Sequence, residues 1–138
     1  MMKDTWHGCY EEGWGKVIVP EAYSHPTKMS YALTRRIFKH ALSEGWIKPG
    51  DTVVDPFGGI GSTGLVGACF GLRVVCVELE QKFVDLSKDN RELWRQKFTG
   101  LPGFNADNWI ILQGDSRKLA SVIQEAGIAV SSPPYATE

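Results

Sequence analysis

Apolar positions recur along this chain with two different spacings. After the polar turn His25-Pro26-Thr27-Lys28, Leu33, Ile37, Ala41 and Leu42 fall on one face at helical spacing, with Phe38 beside them. Arg35, Arg36, Lys39 and Ser43 take the other side. This predicts an amphipathic helix opened by Ser30 or a neighbour. Lys48-Pro49-Gly50-Asp51 is a turn signal, and from there the pattern changes. Thr52 to Asp55 is a short β-rich run, Pro56 to Gly61 a glycine loop, and Ser62 to Phe70 a helix stopped by Gly71. Arg73 to Glu78 is a nearly continuous apolar strand, as a sheet buried on both faces requires. Gln81 to Phe98 reads as a long helix with Phe83, Leu86, Leu93, Trp94 and Phe98 inside. Trp109 to Leu112 is a third strand, Arg117 to Ala126 a short helix, and Ile128 to Ser131 a fourth strand.

That alternation predicts an α/β fold with a parallel, doubly wound sheet. Residues 1–24 mix Gly, Trp and Tyr without a period and read as an irregular N-terminal cover, with an extended piece at Lys16 to Val19. The folded domain is expected over residues 25–138.

Composition narrows the class. A hydrophobic share of 43% and a charged share of 22% exclude disorder, collagen-like repeats and coiled coil. No apolar run approaches the roughly 20 residues of a membrane helix, and the N-terminus lacks a signal-peptide core. A cytoplasmic setting is therefore expected. Cys9, Cys69 and Cys76 form no C-x-x-C pair, and Cys69 and Cys76 sit among apolar residues, so they read as small buried hydrophobes rather than ligands. No metal is expected. Fifteen Lys and Arg against sixteen Asp and Glu leave a net charge of -1, which exerts no global pull on nucleic acid. The local strip Arg35, Arg36 and Lys39 is either a solvated face or a set of phosphate contacts.

In a doubly wound sheet, ligands bind outside the carboxyl ends of the strands, so the four strand ends carry the chemistry. The first runs Asp55-Pro56-Phe57-Gly58-Gly59-Ile60-Gly61-Ser62-Thr63-Gly64, and Gly59 to Gly64 matches G-x-G-x-x-G. Such a loop is either a tight turn or a place where a ligand meets the backbone ahead of a helix N-terminus. The second end is Glu78, which either accepts the ribose hydroxyls of an adenosine cofactor or is a solvated charge. The third holds Asp115, either an acceptor for an adenine amino group or the N-cap of the next helix. The fourth is Ser132-Pro133-Pro134-Tyr135. Two prolines remove two donors and stiffen the chain, leaving Ser132 Oγ and the Pro133 carbonyl as acceptors beside an aromatic ring. That arrangement suits gripping a planar exocyclic amine.

The run Asp55 to Gly64 together with Ser132 to Tyr135 resembles the amino-group DNA methyltransferases, which use S-adenosylmethionine to methylate N6 of adenine or N4 of cytosine. His25 to Lys28 is similar to the additional cofactor motif that precedes their first strand. The resemblance covers roughly residues 25–135 and implies a Rossmann-like sheet of the class I methyltransferase type, incomplete here at about four strands. It implies that Asp55, Phe57, Gly59 and Gly61 line the methionine end of the cofactor, with Pro56 and Ser62 also in the cofactor site. Thr27, with Lys28 or His25, holds its carboxylate, Glu78 takes the ribose and Asp115 the adenine. Ser132, Pro133 and Pro134 form the grip on the target amino group, and Tyr135 stacks on a base flipped from the duplex. Serine at the first position of the tetrapeptide leans toward N4 of cytosine.

The resemblance also implies DNA as partner and a restriction-modification setting. It further implies that later strands and a target-recognition segment lie outside these 138 residues. The fourth strand would then be an open edge suited to self-association. Three rival readings are kept. A nicotinamide oxidoreductase would share the glycine loop but not the tetrapeptide. A methyltransferase of RNA or protein nitrogen would share both. A cofactor-binding piece would do no chemistry alone.

Overall fold

Four parallel strands form one sheet in the order β3-β2-β1-β4, with β1 at Thr52–Asp55, β2 at Arg73–Glu78, β3 at Trp109–Gln113 and β4 at Ile128–Ala129. The protein is described by a computed structural model over residues 5–8, 30–98, 104–121, 123 and 126–131. The helices are α1 at Tyr31–Ser43, α2 at Ser62–Cys69 and α3 at Gln81–Lys97. The chain builds outward from β1 through β2 to β3, then returns to place β4 on the far side of β1. The switch point of the topology therefore lies between β1 and β4.

Local chemistry sets the helix ends. Ser30 is extended and its Oγ accepts the Leu33 N–H at 3.1 Å, capping α1. At the other end Gly45 takes φ 74°, the Gly45 N–H donates to the Leu42 carbonyl, and the Trp46 N–H donates to the Ala41 carbonyl. This is a Schellman closure. α2 ends the same way. Gly71 has φ 76°, its N–H donates to Ala68, and the Leu72 N–H donates to Gly67. Leu72 then drops fully into the core and leads directly into β2.

The core is continuous from α1 to β3 and includes Phe38, Ile60, Leu65, Leu72, Val74, Trp94 and Trp109. β2 sits between β1 and β3, which is why Val74, Val75, Cys76 and Val77 are all buried. The Cys76 thiol is pushed up to about 12 mainly by burial, and the half-buried Cys69 thiol to about 11. Both behave as inert apolar side chains.

Two elements differ from expectation. The α-helix expected from Arg117 to Ala126 does not start as one, and residues 122, 124 and 125 of that span lie outside the described residues. The segment after β3 is a 3₁₀ stretch at Ser116–Ser121, broken where Lys118 has φ −115°. The Lys118 N–H reaches back three residues to the Asp115 carbonyl at 2.8 Å, which winds this turn more tightly than an α-helix. β4 pairs over two residues rather than four, although the Val130 N–H still donates to the Val54 carbonyl at 3.0 Å.

The inner face of α3 differs too. Phe83 and Trp94 are buried as expected, but Leu86, Leu93 and Phe98 are only partly covered. Ser87 and Asn90 are buried in their place. Among the described residues no helix is long and apolar enough to cross a membrane.

Candidate functional site

The carboxyl end of β2 is tied to the loop after β1 by Glu78, and that of β1 to the exit of β4 by Asp55. Asp55 closes β1 and is 3% exposed. Its Oδ1 accepts the Phe57 N–H at 3.0 Å and the Ser131 hydroxyl at 2.7 Å, while Oδ2 accepts the Thr63 hydroxyl at 2.5 Å. Burial pushes the Asp55 carboxyl above the usual range, and these three donors pull in the opposite direction. One side chain thus ties together the end of β1, the glycine loop, the first turn of α2 and the exit of β4.

Glu78 closes β2 and is half-buried. Its Oε2 accepts the Gly59 N–H at 2.9 Å, and its Oε1 accepts the Glu80 N–H at 3.2 Å. Each oxygen retains acceptor capacity. The loop is fixed from below by α3, where Ser87 Oγ donates to the Gly59 carbonyl at 3.3 Å and Asn90 Nδ2 to the Ile60 carbonyl at 3.0 Å. These two polar residues are part of the loop's construction and were missed from sequence. Their signal was polar side chains three residues apart on a face that otherwise reads as apolar.

The glycines serve packing as well as approach. Gly61 has φ 89°, and a Cβ there would lie 2.2 Å from Trp109 Cζ2. A Cβ on Gly64 would meet the same indole at 2.2 Å. The second and third glycines of the G-x-G-x-x-G run therefore let Trp109 of β3 press against the start of α2. Gly61 is also the N-cap of α2, and among the described residues no side chain caps that end. The first-turn Gly64 N–H is engaged by the Cys76 thiol, and the end of the helix faces the glycine loop without a side-chain cap.

Pro56 is half-buried, and Phe57 is exposed at the mouth of the loop. Asp115 lies at the end of β3, where its carboxylate accepts the Arg117 N–H at 2.9 Å and pairs with the Arg117 guanidinium at 2.6 Å. That pair lowers its carboxyl to about 2. The capping alternative thus describes its present contacts. Arg35 and Arg36 of the basic strip lie over the rings of Tyr31 at 5.7 Å and Trp6 at 5.5 Å, with Lys39 exposed beside them. Thr27, Lys28, Ser132, Pro133, Pro134 and Tyr135 lie outside the described residues, as does the segment 9–29.

The residues present fit an adenosine-type cofactor. A carboxylate with spare acceptor capacity, a glycine-rich loop and a helix N-terminus without a side-chain cap converge at the end of the sheet nearest the switch point. Among the described residues no cluster of His, Cys, Asp and Glu could hold a metal ion.

Comparison with known proteins shows the family. A family model described as DNA methylase, of the N6/N4 methyltransferase type, matches residues 2–89. The Type II methyltransferase M2.DpnII of Streptococcus pneumoniae is 31% identical over 91 residues, which is 66% of this chain and 31% of that protein. The Type II methyltransferase M.HinfI of Haemophilus influenzae is 37% identical over 65 residues, covering 47% of this chain and 17% of its own. The chain spans about a third or less of the length of these relatives. Among solved structures, TrmN from Thermus thermophilus superposes with a TM-score of 0.62 at 25% identity, over 85% of this chain and 32% of that one. A variant of MtNAS in complex with S-adenosylmethionine shares the fold, with a TM-score of 0.53 at 20% identity, over 83% of this chain and 41% of that one. The chain belongs to the N6/N4-type DNA methylase family of S-adenosylmethionine-dependent enzymes, built on the Rossmann-like sheet of class I methyltransferases.

Proposed function

We propose that this chain carries the cofactor site and the amine-gripping segment of a DNA methyltransferase that modifies an exocyclic amino group, with N4 of cytosine favoured over N6 of adenine. The observation that carries this reading is the joint anchoring of the glycine loop by Asp55 and Glu78, with Ser131 leading from the same carboxylate into Ser132-Pro133-Pro134-Tyr135.

When bound, S-adenosylmethionine supplies a methyl group activated by a sulfonium centre. The chain's own residues orient and enclose it. Glu78 accepts from the ribose hydroxyls. Asp55 shapes the loop of Pro56, Phe57, Gly59, Gly61 and Ser62, and the Phe57 ring offers its face to positive charge. Thr27, with Lys28 or His25, holds the amino-acid end. A role for Asp115 toward adenine requires its pair with Arg117 to open. Ser132 Oγ and the Pro133 carbonyl accept from the target amino group, Pro134 keeps the run rigid, and Tyr135 stacks on the flipped base. Holding amine and methyl in line accounts for most of the rate, because methyl transfer is a displacement that gains chiefly from positioning. DNA is the proposed partner, with Arg35, Arg36 and Lys39 as candidate phosphate contacts.

The test has two stages. Calorimetry with S-adenosylmethionine comes first, and absence of binding would sink the reading. Tritium transfer to mixed-sequence DNA follows, with nucleoside analysis to separate N4-methylcytosine from N6-methyladenine. Binding without transfer would favour a cofactor-binding piece that does no chemistry alone.

A further inference from the structure

Ser131 lies one residue before the proline run and is joined to the loop at the other side of the switch point. Its hydroxyl donates to Asp55 Oδ1 at 2.7 Å, and the same oxygen accepts the Phe57 N–H at 3.0 Å. The preceding residue is held as well, since the Val130 N–H donates to the Val54 carbonyl at 3.0 Å. Val54 and Asp55 are themselves consecutive, so two neighbouring residues of one strand exit are clamped to two neighbouring residues of the other. A backbone bond alone leaves the chain free to rotate about the bonds beyond it. Adding the side-chain bond fixes the orientation of Ser131 itself against Asp55.

We propose that Ser131 is a positioning residue that locks the exit of β4 to the glycine loop through the Asp55 carboxylate. It acts through Asp55. Its function is to make one carboxylate oxygen the common reference for the segment that holds the methyl donor and the segment that holds the amine. Thr63 completes the reference by fixing the other oxygen, so the carboxylate cannot rotate to follow a drifting strand. The inference rests on the methyl-transfer reading for its consequence, but the coupling itself can be measured without turnover.

The experiment compares Ser131→Ala with Ser131→Thr in the full chain. Amide hydrogen exchange, read by NMR, is expected to accelerate about 10-fold at Phe57, Ser132 and Tyr135 in Ser131→Ala, as loss of a charge-assisted bond predicts. It is expected to stay unchanged at Val77 in the sheet interior. Ser131→Thr restores the hydroxyl and is expected to return the three sites to wild-type rates. In the transfer assay Ser131→Ala is expected to lower kcat about 10-fold while the affinity for S-adenosylmethionine stays within about twofold. Acceleration spread evenly over the sheet, or confined to residues after 131, would overturn the inference, as would failure of threonine to rescue. If wild type binds no S-adenosylmethionine, the methyl-transfer reading fails. The exchange pattern then decides by itself whether the two segments are coupled.

Discussion

The Gly59 N–H and the Glu78 carboxylate meet at 2.9 Å, so the last side chain of the second strand holds the loop that follows the first. A ribose bound by Glu78 would therefore sense the position of the glycine loop directly. Glu78→Ala is expected to weaken S-adenosylmethionine binding by about 100-fold, from loss of charge-assisted bonds to both the loop and the ligand. Glu78→Gln keeps an acceptor and is expected to lose about 10-fold. Calorimetric titration of both variants checks the order. Unchanged affinity in the alanine variant would remove Glu78 from the site.

Asp55 holds three donors in a place with almost no water. Asp55→Ala strands them and is expected to cost about 3 kcal/mol in urea unfolding. Asp55→Asn can keep all three contacts, because the Thr63 hydroxyl can reverse and accept from the new amide. It also removes a buried charge, so its loss is expected to be well under that of alanine. Equal loss in the two variants would mean that the carboxylate only fills space.

The aspartates at the ends of β1 and β3 respond to pH in opposite senses. Asp55 has a raised carboxyl pKa because burial disfavours its charge. Its folded form binds the proton more tightly than the unfolded chain does. Stability is therefore lost as pH climbs from about 3.9, the unfolded value, through the folded value, and is level above it. Asp115 is lowered to about 2 by Arg117, so its contribution is present above about 3.9 and fades as pH falls toward 2. Carbon NMR of the carboxyls is expected to show the two midpoints on opposite sides of the ordinary value. Arg117→Ala is expected to return Asp115 to the ordinary range, and an unmoved midpoint would exclude the ion pair as the cause.

Gly64 faces the Trp109 indole with no room for a methyl group. Gly64→Ala is expected to destabilise the fold by about 2 kcal/mol through overpacking. Combining it with Trp109→Leu is expected to cost less than the sum of the two single changes, since the smaller side chain vacates the space. A double-mutant cycle gives that difference, and strict additivity would show that the two residues do not compete.

The sheet could be read in the chain because each strand announces itself twice, by β-branched content and by a flanking turn. Thr52–Asp55 and Arg73–Glu78 begin and end where their composition predicts. The third crossover was misread because Arg117 to Ala126 contains helix formers, whereas Asp115 captures the Arg117 backbone and guanidinium and starts a tighter turn. The positions of Asp55 and Glu78 were visible as acids at strand ends. Their partners were not, because Asp55 to Ser131 and Gly59 to Glu78 are contacts that only the strand order creates. Ser87 and Asn90 were hidden for a different reason. A helical wheel scores them as defects in an apolar face, and their value appears only when the carbonyls they reach are known.

The hydrogen bond from Ser131 to Asp55 spans 76 residues of chain. During synthesis β1, α2, β2 and α3 all emerge before the residue that completes the Asp55 cluster. Without that residue the Asp55 carboxylate keeps two of its three donors, from Phe57 and Thr63. The Asp55 cluster is complete only with the fourth strand paired to the first. A ligand that selects the finished loop would then favour the docked fourth strand, making occupancy of the site a late quality check on folding.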